Sequence, residues 1–114
     1  MPSELSRLRL LDIRDNIYLA NAWTAGHTFE QFAGDVMRFY AVVRALEIVS
    51  EATRGIDREV KERHPEIAWS DAAGAGNIYR HNYDDVTERR VWDTVMIALP
   101  PLLAAVESEL ARLG

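Results

Sequence analysis

The longest stretch of regular hydrophobic spacing begins at Val36, and it constrains the fold more than any other feature of the chain. Residues that suit a buried stripe recur there at intervals of three and four, namely Phe39, Val42 or Val43, Leu46, Val49, Thr53, Ile56 and Val60. This spacing puts them on one side of an α-helix. The sequence therefore predicts a helix over residues 36–63, bent at Gly55 and ended by Pro65.

The same spacing recurs on both sides of this segment. It predicts a first helix over residues 5–24 and a later helix over residues 86–98, with Thr87 as the cap of the latter. Pro100-Pro101 either kinks that helix or starts a new one that runs to the C-terminus. No segment has the alternating pattern of a strand. The sequence thus predicts an all-α fold, an up-and-down bundle of four main helices plus a short extra helix.

Short polar motifs predict where other helices begin. Thr28 and Gln31 have the spacing of a capping box, in which each side chain binds an amide hydrogen at the start of the short extra helix. Asp35 is the predicted N-cap of the long helix after it, and Ser70 or Asp71 that of the third main helix. The charged residues 58–63 and Glu66 are interpreted as a solvated face.

Length and composition limit the class of protein. A chain of 114 residues suits one domain, here 1–114, and 48% hydrophobic with 27% charged residues predicts a globular fold. The absence of cysteine excludes disulfides and thiolate metal sites and fits a cytoplasmic protein. The three histidines have no zinc spacing, so we expect neither a metal nor another cofactor. No apolar run approaches the roughly 20 residues of a membrane span.

The net charge of −5 also limits the choice of partner. An acidic protein does not attract nucleic acid through its overall field, so any RNA must be bound by a local basic patch.

Residues 76–83, with the sequence GNIYRHNY, concentrate the polar chemistry of the chain. If this segment is helical, Asn77, Arg80, His81 and Asp84 share one face, because they stand at i, i+3, i+4 and i+7. A histidine, an arginine and an amide together could hold a phosphate and transfer a proton. The alternative is that these residues cap and hydrogen-bond the end of a helix.

Six segments, in order along the chain, carry a family likeness. They are TFEQF at 28–32, RALEIVSEA at 44–52, HPEIAW at 64–69, GNIYRHNY at 76–83, VWDTV at 91–95 and LPPL at 99–102. Together they resemble the HEPN superfamily, in its HepT-like branch. The resemblance covers nearly the whole chain, and several motifs in one order are more specific than any single motif.

The resemblance implies a HEPN-like homodimer that is a metal-independent endoribonuclease, the toxin of a two-gene system. It also implies an antitoxin, an MntA-like minimal nucleotidyltransferase, which can transfer AMP to a tyrosine beside the catalytic histidine. The family motif assigns its histidine to His81, its tyrosine to Tyr83 and its polar position to Asn77. The family arginine has no counterpart, because Gly76 stands in its place and Arg80 is the only nearby arginine.

Two hypotheses of function follow. In the first, the chain cleaves RNA with His81 as acid and base, Asn77 as an orienting residue, and Arg80, Arg89 and Arg90 as phosphate-binding residues.

In the second hypothesis, the chain is a catalytically inactive nucleotide-binding or docking subunit of the nucleotidyltransferase, or its acceptor at Tyr83. The missing arginine and the acidic charge favour this hypothesis, whereas the retained His81 and Tyr83 favour the nuclease.

Overall fold

The computed structural model describes the backbone of residues 4–78 and 85–114, and the side chains of residues 4–74 and 87–114. Its elements in chain order are α1 (Glu4–Thr24), α2 (Phe29–Ala33), α3 (Val36–Arg54), α4 (Arg58–Arg63), α5 (Trp69–Ile78), α6 (Asp85–Asp93) and α7 (Leu99–Leu113). A π-helical segment, Thr94–Ala98, joins α6 to α7. None of these residues forms a strand, which confirms the predicted all-α class.

The core lies between α1, α3 and α7. Helix α1 packs along both α3 and α7, and α3 also packs against α5. The predicted stripes are buried, with 0–6% of each core residue exposed; they include Leu10, Ile13, Ile17, Val42, Leu46, Val49, Leu102 and Val106. Each fully buried aliphatic side chain contributes about 1.5–3 kcal/mol relative to an exposed one, so these stripes supply most of the stability.

The predicted caps of α2 and α3 are present. Thr28 Oγ1 accepts a hydrogen bond from the Gln31 amide at 3.1 Å, and Gln31 Oε1 accepts one from the Thr28 amide at 2.9 Å. Asp35 Oδ1 accepts from the Arg38 amide at 3.0 Å, and this bond holds the pKa of Asp35 below its ordinary value. Gly26 has a positive φ of 75° and ends the turn after α1.

The prediction of one bent helix over residues 36–63 is wrong, because the chain forms α3 and α4 instead. Arg9 Nη1 donates to the carbonyl of Gly55 at 2.7 Å, where a continuous helix would bind an amide of its own. A Cβ at position 55 would overlap the Arg9 guanidinium, so glycine permits this contact. Asp57 is extended, with φ −61° and ψ 145°, and so restarts the helix as α4.

Two predicted helix starts are also wrong. Helix α5 begins at Trp69, ahead of Ser70 and Asp71, and the Trp69 indole nitrogen donates to the His64 carbonyl at 3.0 Å. This bond fixes the start of α5 without a side-chain cap at either predicted position. Thr87 lies inside α6 and is 1% exposed, so it belongs to the buried face of that helix.

The helix predicted over residues 86–98 changes type before it reaches the two prolines. The amide of Leu99 donates to the carbonyl of Thr94, five residues earlier, which is the π-helical pattern. Pro100 and Pro101 follow in the first turn of α7. Because the backbone is helical without a break from Thr87 to Leu113, and Ala98 and Leu99 are in the right-handed helical region, the prolines follow a π-helical segment inside one continuous stretch and do not start a separate helix.

The helical stretch Thr87–Leu113 is long and apolar enough to cross a membrane by length and composition alone. The prediction that no stretch approaches this length is therefore wrong. About 33% of the apolar window is buried within the chain, and core helices of water-soluble proteins satisfy the same criterion.

Candidate functional site

The predicted site residues divide into two groups. Arg80, His81 and Tyr83 lie outside the described residues, and Asn77 lies in the last turn of α5, where only the backbone is described. The convergence of His81 with a guanidinium therefore stays a prediction. Arg89 and Arg90 lie on α6, and their surroundings define the part of the candidate site that follows.

Helix α6 is oriented by its buried residues. Thr87 and Val91 are buried, at 1% and 0% exposure, and they stand four residues apart on one face. Arg89 and Arg90 lie between them in the sequence, and both are exposed. Burial of one face of α6 thus presents two adjacent cations to solvent.

The Arg89 guanidinium lies over an aromatic ring of α2. Its guanidinium carbon is 3.6 Å from the centroid of Phe29, which is a close cation–π contact. Such a contact orients the guanidinium plane and reduces the freedom that the side chain would lose on binding a ligand.

Phe29 is itself fixed by an aromatic cluster that reaches the core. The Phe29 and Trp92 rings meet edge to face, with their centroids 6.0 Å apart. The Trp92 ring lies 5.5 Å from that of Phe32, which is fully buried. The exposed Arg89 is therefore joined through three rings to the rigid interior of the bundle.

A cleft of about 690 Å³ lies between α2 and α6 beside this cluster. Its charged side chains are Arg89 and Arg90, opposed by Glu30 and Glu88, and Phe29 supplies an apolar surface. The two carboxylates disfavour the binding of several phosphates alone. The two arginines together with the Phe29 ring suit a ligand that has both a negative group and a flat ring.

Sequence reasoning missed a charged cluster that forms around the buried Glu109, between α4 and α7. Glu109 is 2% exposed and accepts hydrogen bonds from Arg63 Nε at 3.1 Å and Arg63 Nη2 at 2.5 Å. Its other neighbour is His64, whose Nε2 lies 2.7 Å from Glu109 Oε2. The Arg63 guanidinium holds the pKa of the Glu109 carboxyl below its ordinary value.

Arg63 is exposed, as predicted for a solvated face, but its guanidinium also belongs to this cluster through its bonds to Glu109. The signal that could have found it is the position of Glu109, which continues the buried stripe of Leu102, Ala105 and Val106. A glutamate on such a stripe needs a cationic partner. His64 has carboxylates at both ring nitrogens, which indicates a structural role.

In the part of the chain whose side chains are described, no group of three or more histidine or acidic side chains could hold a metal ion.

Comparison with known proteins places the chain among relatives of similar length. A family model described as Ribonuclease HepT-like matches residues 13–109. A protein of Thermococcus cleftensis named a probable ribonuclease HepT is 38% identical over 98 residues, which cover 86% of this chain and 89% of the relative. A provisionally named RNase of Caldanaerobacter subterraneus is 33% identical over 87 residues, which cover 76% and 78% of the two chains. Among solved structures there is no significant match.

Proposed function

Because the chain belongs to the HepT-like ribonuclease family, we propose that it is an endoribonuclease that cleaves RNA as a homodimer and without a metal ion. The observation that carries this proposal is the family match over residues 13–109, which spans the whole segment from Asn77 to Tyr83 and both arginines of α6. The probable ribonuclease HepT from Thermococcus supports the same reaction class.

The proposed reaction is an attack of a ribose 2′-hydroxyl on the adjacent 3′-phosphate. A base removes the hydroxyl proton, the new P–O2′ bond forms, and the P–O5′ bond breaks. An acid then donates a proton to the departing 5′-oxygen, which leaves a 2′,3′-cyclic phosphate. Histidine suits both roles because its ordinary pKa lies near neutrality.

Dimer symmetry supplies the second imidazole in this proposal. Each chain contributes one His81, and a two-fold axis would bring two copies to one phosphate. Arg80 takes the place of the family arginine, since Gly76 stands at that position, and it stabilises the charge that develops on the phosphate. Asn77 orients His81, and Arg89 and Arg90 contact the flanking nucleotides.

The charge distribution is compatible with an RNA substrate. The chain has a net charge of −5, so its overall field does not attract nucleic acid. The exposed pair Arg89 and Arg90 provides the local cations that an acidic protein needs for such contacts.

We further propose that the chain is a cytoplasmic toxin without membrane contact, and that its antitoxin is an MntA-like nucleotidyltransferase. Transfer of AMP from ATP to the Tyr83 hydroxyl would form a phosphodiester there and release pyrophosphate. The added charge and bulk beside His81 would exclude the RNA phosphate.

A second function is favoured by one feature, the glycine at position 76. In this alternative the chain has no nuclease activity and serves the nucleotidyltransferase as a nucleotide-binding or docking subunit. Loss of one group that stabilises the charge of the transition state typically lowers a rate about 10²–10³-fold, so the glycine favours an inactive chain.

Cleavage of labelled single-stranded RNA by the purified chain, without its partner and with excess chelator, distinguishes the two functions. We expect cyclic-phosphate products from the wild type and a rate about 10²–10⁴-fold lower for His81→Ala. His27→Ala is the matched control, because the His27 ring lies in a loop, where it contacts the Ala25 carbonyl at 3.0 Å.

The oligomeric state of both variants, measured by light scattering, checks that the dimer persists. A wild-type dimer that leaves RNA intact would exclude the nuclease and support the docking subunit.

A further inference from the structure

We infer that Arg89 and Phe29 form a stacking platform for one base of a single-stranded RNA, an inference that rests on the proposed function and deepens it. The guanidinium of Arg89 covers the Phe29 ring at 3.6 Å with one face. Arg89 is nevertheless an exposed residue that lines the open cleft between α2 and α6, so its side chain is within reach of a ligand there.

The platform is rigid before any ligand arrives. Phe29 is held edge to face by Trp92, and Trp92 packs against the fully buried Phe32. Phe29 also begins α2 directly after the capping box of Thr28. A surface that is already ordered loses little conformational entropy on binding, so a stacked base retains most of its interaction energy.

The geometry favours a base over a phosphate at Arg89. A guanidinium binds phosphate through its N–H edges, whereas its flat faces stack on planar groups. Phe29 fixes that plane, so the free face offers the surface on which unpaired bases stack in proteins that bind single-stranded RNA. Arg90, exposed at the rim of the same cleft, is the residue suited to the neighbouring phosphate.

The two carboxylates of the cleft give the platform a preference among bases. Glu30 and Glu88 line the cleft together with Arg89. Carboxylates accept hydrogen bonds from exocyclic amino groups, which adenine, cytosine and guanine have and uracil lacks. We therefore expect this subsite to bind an amino-bearing base in preference to uracil.

The inference is tested by RNA binding in the His81→Ala background, which keeps the RNA intact. We expect Arg89→Lys to weaken the binding of a short single-stranded RNA by roughly 5- to 150-fold, since lysine keeps the charge but loses the flat face. Arg58→Lys is the matched control and should bind as tightly as its parent, because the Arg58 side chain is 90% exposed on α4, outside the cleft.

Two readouts separate stacking from charge and from stability. Each base of the RNA is replaced in turn by an abasic nucleotide. At one position only, this replacement should abolish the difference in affinity between the parent and Arg89→Lys. An RNA with uracil at that position should bind more weakly than one with any other base there. The salt dependence of binding should be the same for both proteins, because the number of neutralised phosphates is unchanged.

Three outcomes would overturn the platform. Arg89→Lys could bind RNA as tightly as Arg58→Lys, the loss of affinity could persist after every abasic replacement, or the parent could fail to bind RNA. If Arg89→Lys proves less stable thermally, Phe29→Leu provides a second variant, which keeps an apolar side chain but removes the ring and should reproduce the binding defect. Failure of the proposed function is distinguishable, because base-dependent binding without cleavage by the wild type would exclude the nuclease and retain the platform.

Discussion

The Nε2 atom of His64 lies 2.7 Å from a carboxylate oxygen of Glu109, although the two residues are 45 positions apart in the sequence. Arg63 binds the same carboxylate through two nitrogens. Glu109 thereby joins the end of α4 to the middle of α7, and the indole of Trp69 adds the start of α5 through the His64 carbonyl. Three separate helices are held together at this point.

Removal of the Glu109 charge is expected to destabilise the fold. Glu109→Gln keeps the shape of the side chain but weakens both hydrogen bonds to Arg63 and leaves a cation beside a neutral group. We expect a loss of about 1–2 kcal/mol in the free energy of unfolding. This is less than for a fully buried charged hydrogen bond, because the Arg63 side chain is 30% exposed. Urea denaturation followed by circular dichroism measures the free energy of unfolding.

The same substitution should change how stability depends on pH. The folded pKa of Glu109 is lowered from about 4.5, with the hydrogen bond from Arg63 as the largest cause. A carboxyl with a lowered folded pKa stabilises the fold above its unfolded pKa, and this contribution disappears as the pH falls through the folded pKa. The difference between wild type and Glu109→Gln should therefore be largest above about pH 5 and shrink towards lower pH.

Glu62→Gln is the control for this pH dependence, because Glu62 is exposed and meets Arg58 at a distance of 3.7 Å. Its stability should follow the wild type at every pH. If the stability of both variants changed equally relative to the wild type at acidic pH, the pH dependence could not be assigned to Glu109.

Local hydrogen bonds account for the parts of the fold that could be predicted from the sequence. The capping box of Thr28 and Gln31 and the N-cap Asp35 act over three residues, so their partners can be identified in the sequence itself. The apolar stripe of α1 was equally predictable, because the spacing of Leu10, Ile13 and Ile17 alone indicates burial. These features follow from helix geometry without knowledge of the tertiary structure.

Contacts between distant residues account for the parts that could not be predicted. The break after α3 depends on Arg9, which is 46 residues from Gly55, and the fixed plane of Arg89 depends on Phe29 in another helix. Neither partner leaves a local signal in the sequence. The assignments of His81 and Tyr83 come from family resemblance, so they remain predictions until chemistry tests them.

The contact between Arg9 and Gly55 predicts a substitution whose effect changes sign with its background. Gly55→Ala reduces the entropy of the unfolded chain, and Gly55 has φ −95°, which alanine tolerates. In the wild type, the new methyl group displaces the Arg9 guanidinium and breaks its 2.7 Å bond to the carbonyl. The loss of about 1 kcal/mol offsets the entropic gain, so we expect little change or a small destabilisation.

In an Arg9→Ala background the displaced group is absent, and Gly55→Ala should stabilise by about 0.4–1 kcal/mol. The double-mutant cycle, measured by chemical denaturation, should give a coupling of about 1 kcal/mol. Equal effects of Gly55→Ala in both backgrounds would show that the Arg9 bond does not contribute to the break between α3 and α4.

The glycine at position 76 leads to a prediction about catalysis. If Arg80 replaces the family arginine, Arg80→Ala should lower kcat for RNA cleavage about 10²–10³-fold, because a cation at the transition state is lost. Gly76→Arg added to Arg80→Ala should restore part of that loss. Arg58→Ala is the control, since the Arg58 side chain is 90% exposed on α4. If the double variant is as inactive as Arg80→Ala, Arg80 does not replace the arginine that is missing at position 76.

The proposed control by the partner predicts a single modified tyrosine. Incubation of the chain with its nucleotidyltransferase and ATP should add AMP to the peptide that contains Tyr83, as detected by mass spectrometry, and RNA cleavage should fall with the modified fraction. Tyr83→Phe lacks the accepting hydroxyl, so it should neither gain AMP nor lose activity in the presence of the partner.

Tyr40→Phe tests whether the partner selects the acceptor tyrosine by its position or by its exposure to solvent. Tyr40 is 61% exposed on α3 and is therefore an available phenol outside the predicted motif of residues 76–83. Its replacement should leave both the added AMP and the inhibition unchanged, because the acceptor is chosen by its place beside His81 and not by exposure. AMP on Tyr40, or inhibition of Tyr83→Phe as strong as that of the wild type, would show that the partner acts by another route, such as covering the RNA-binding surface.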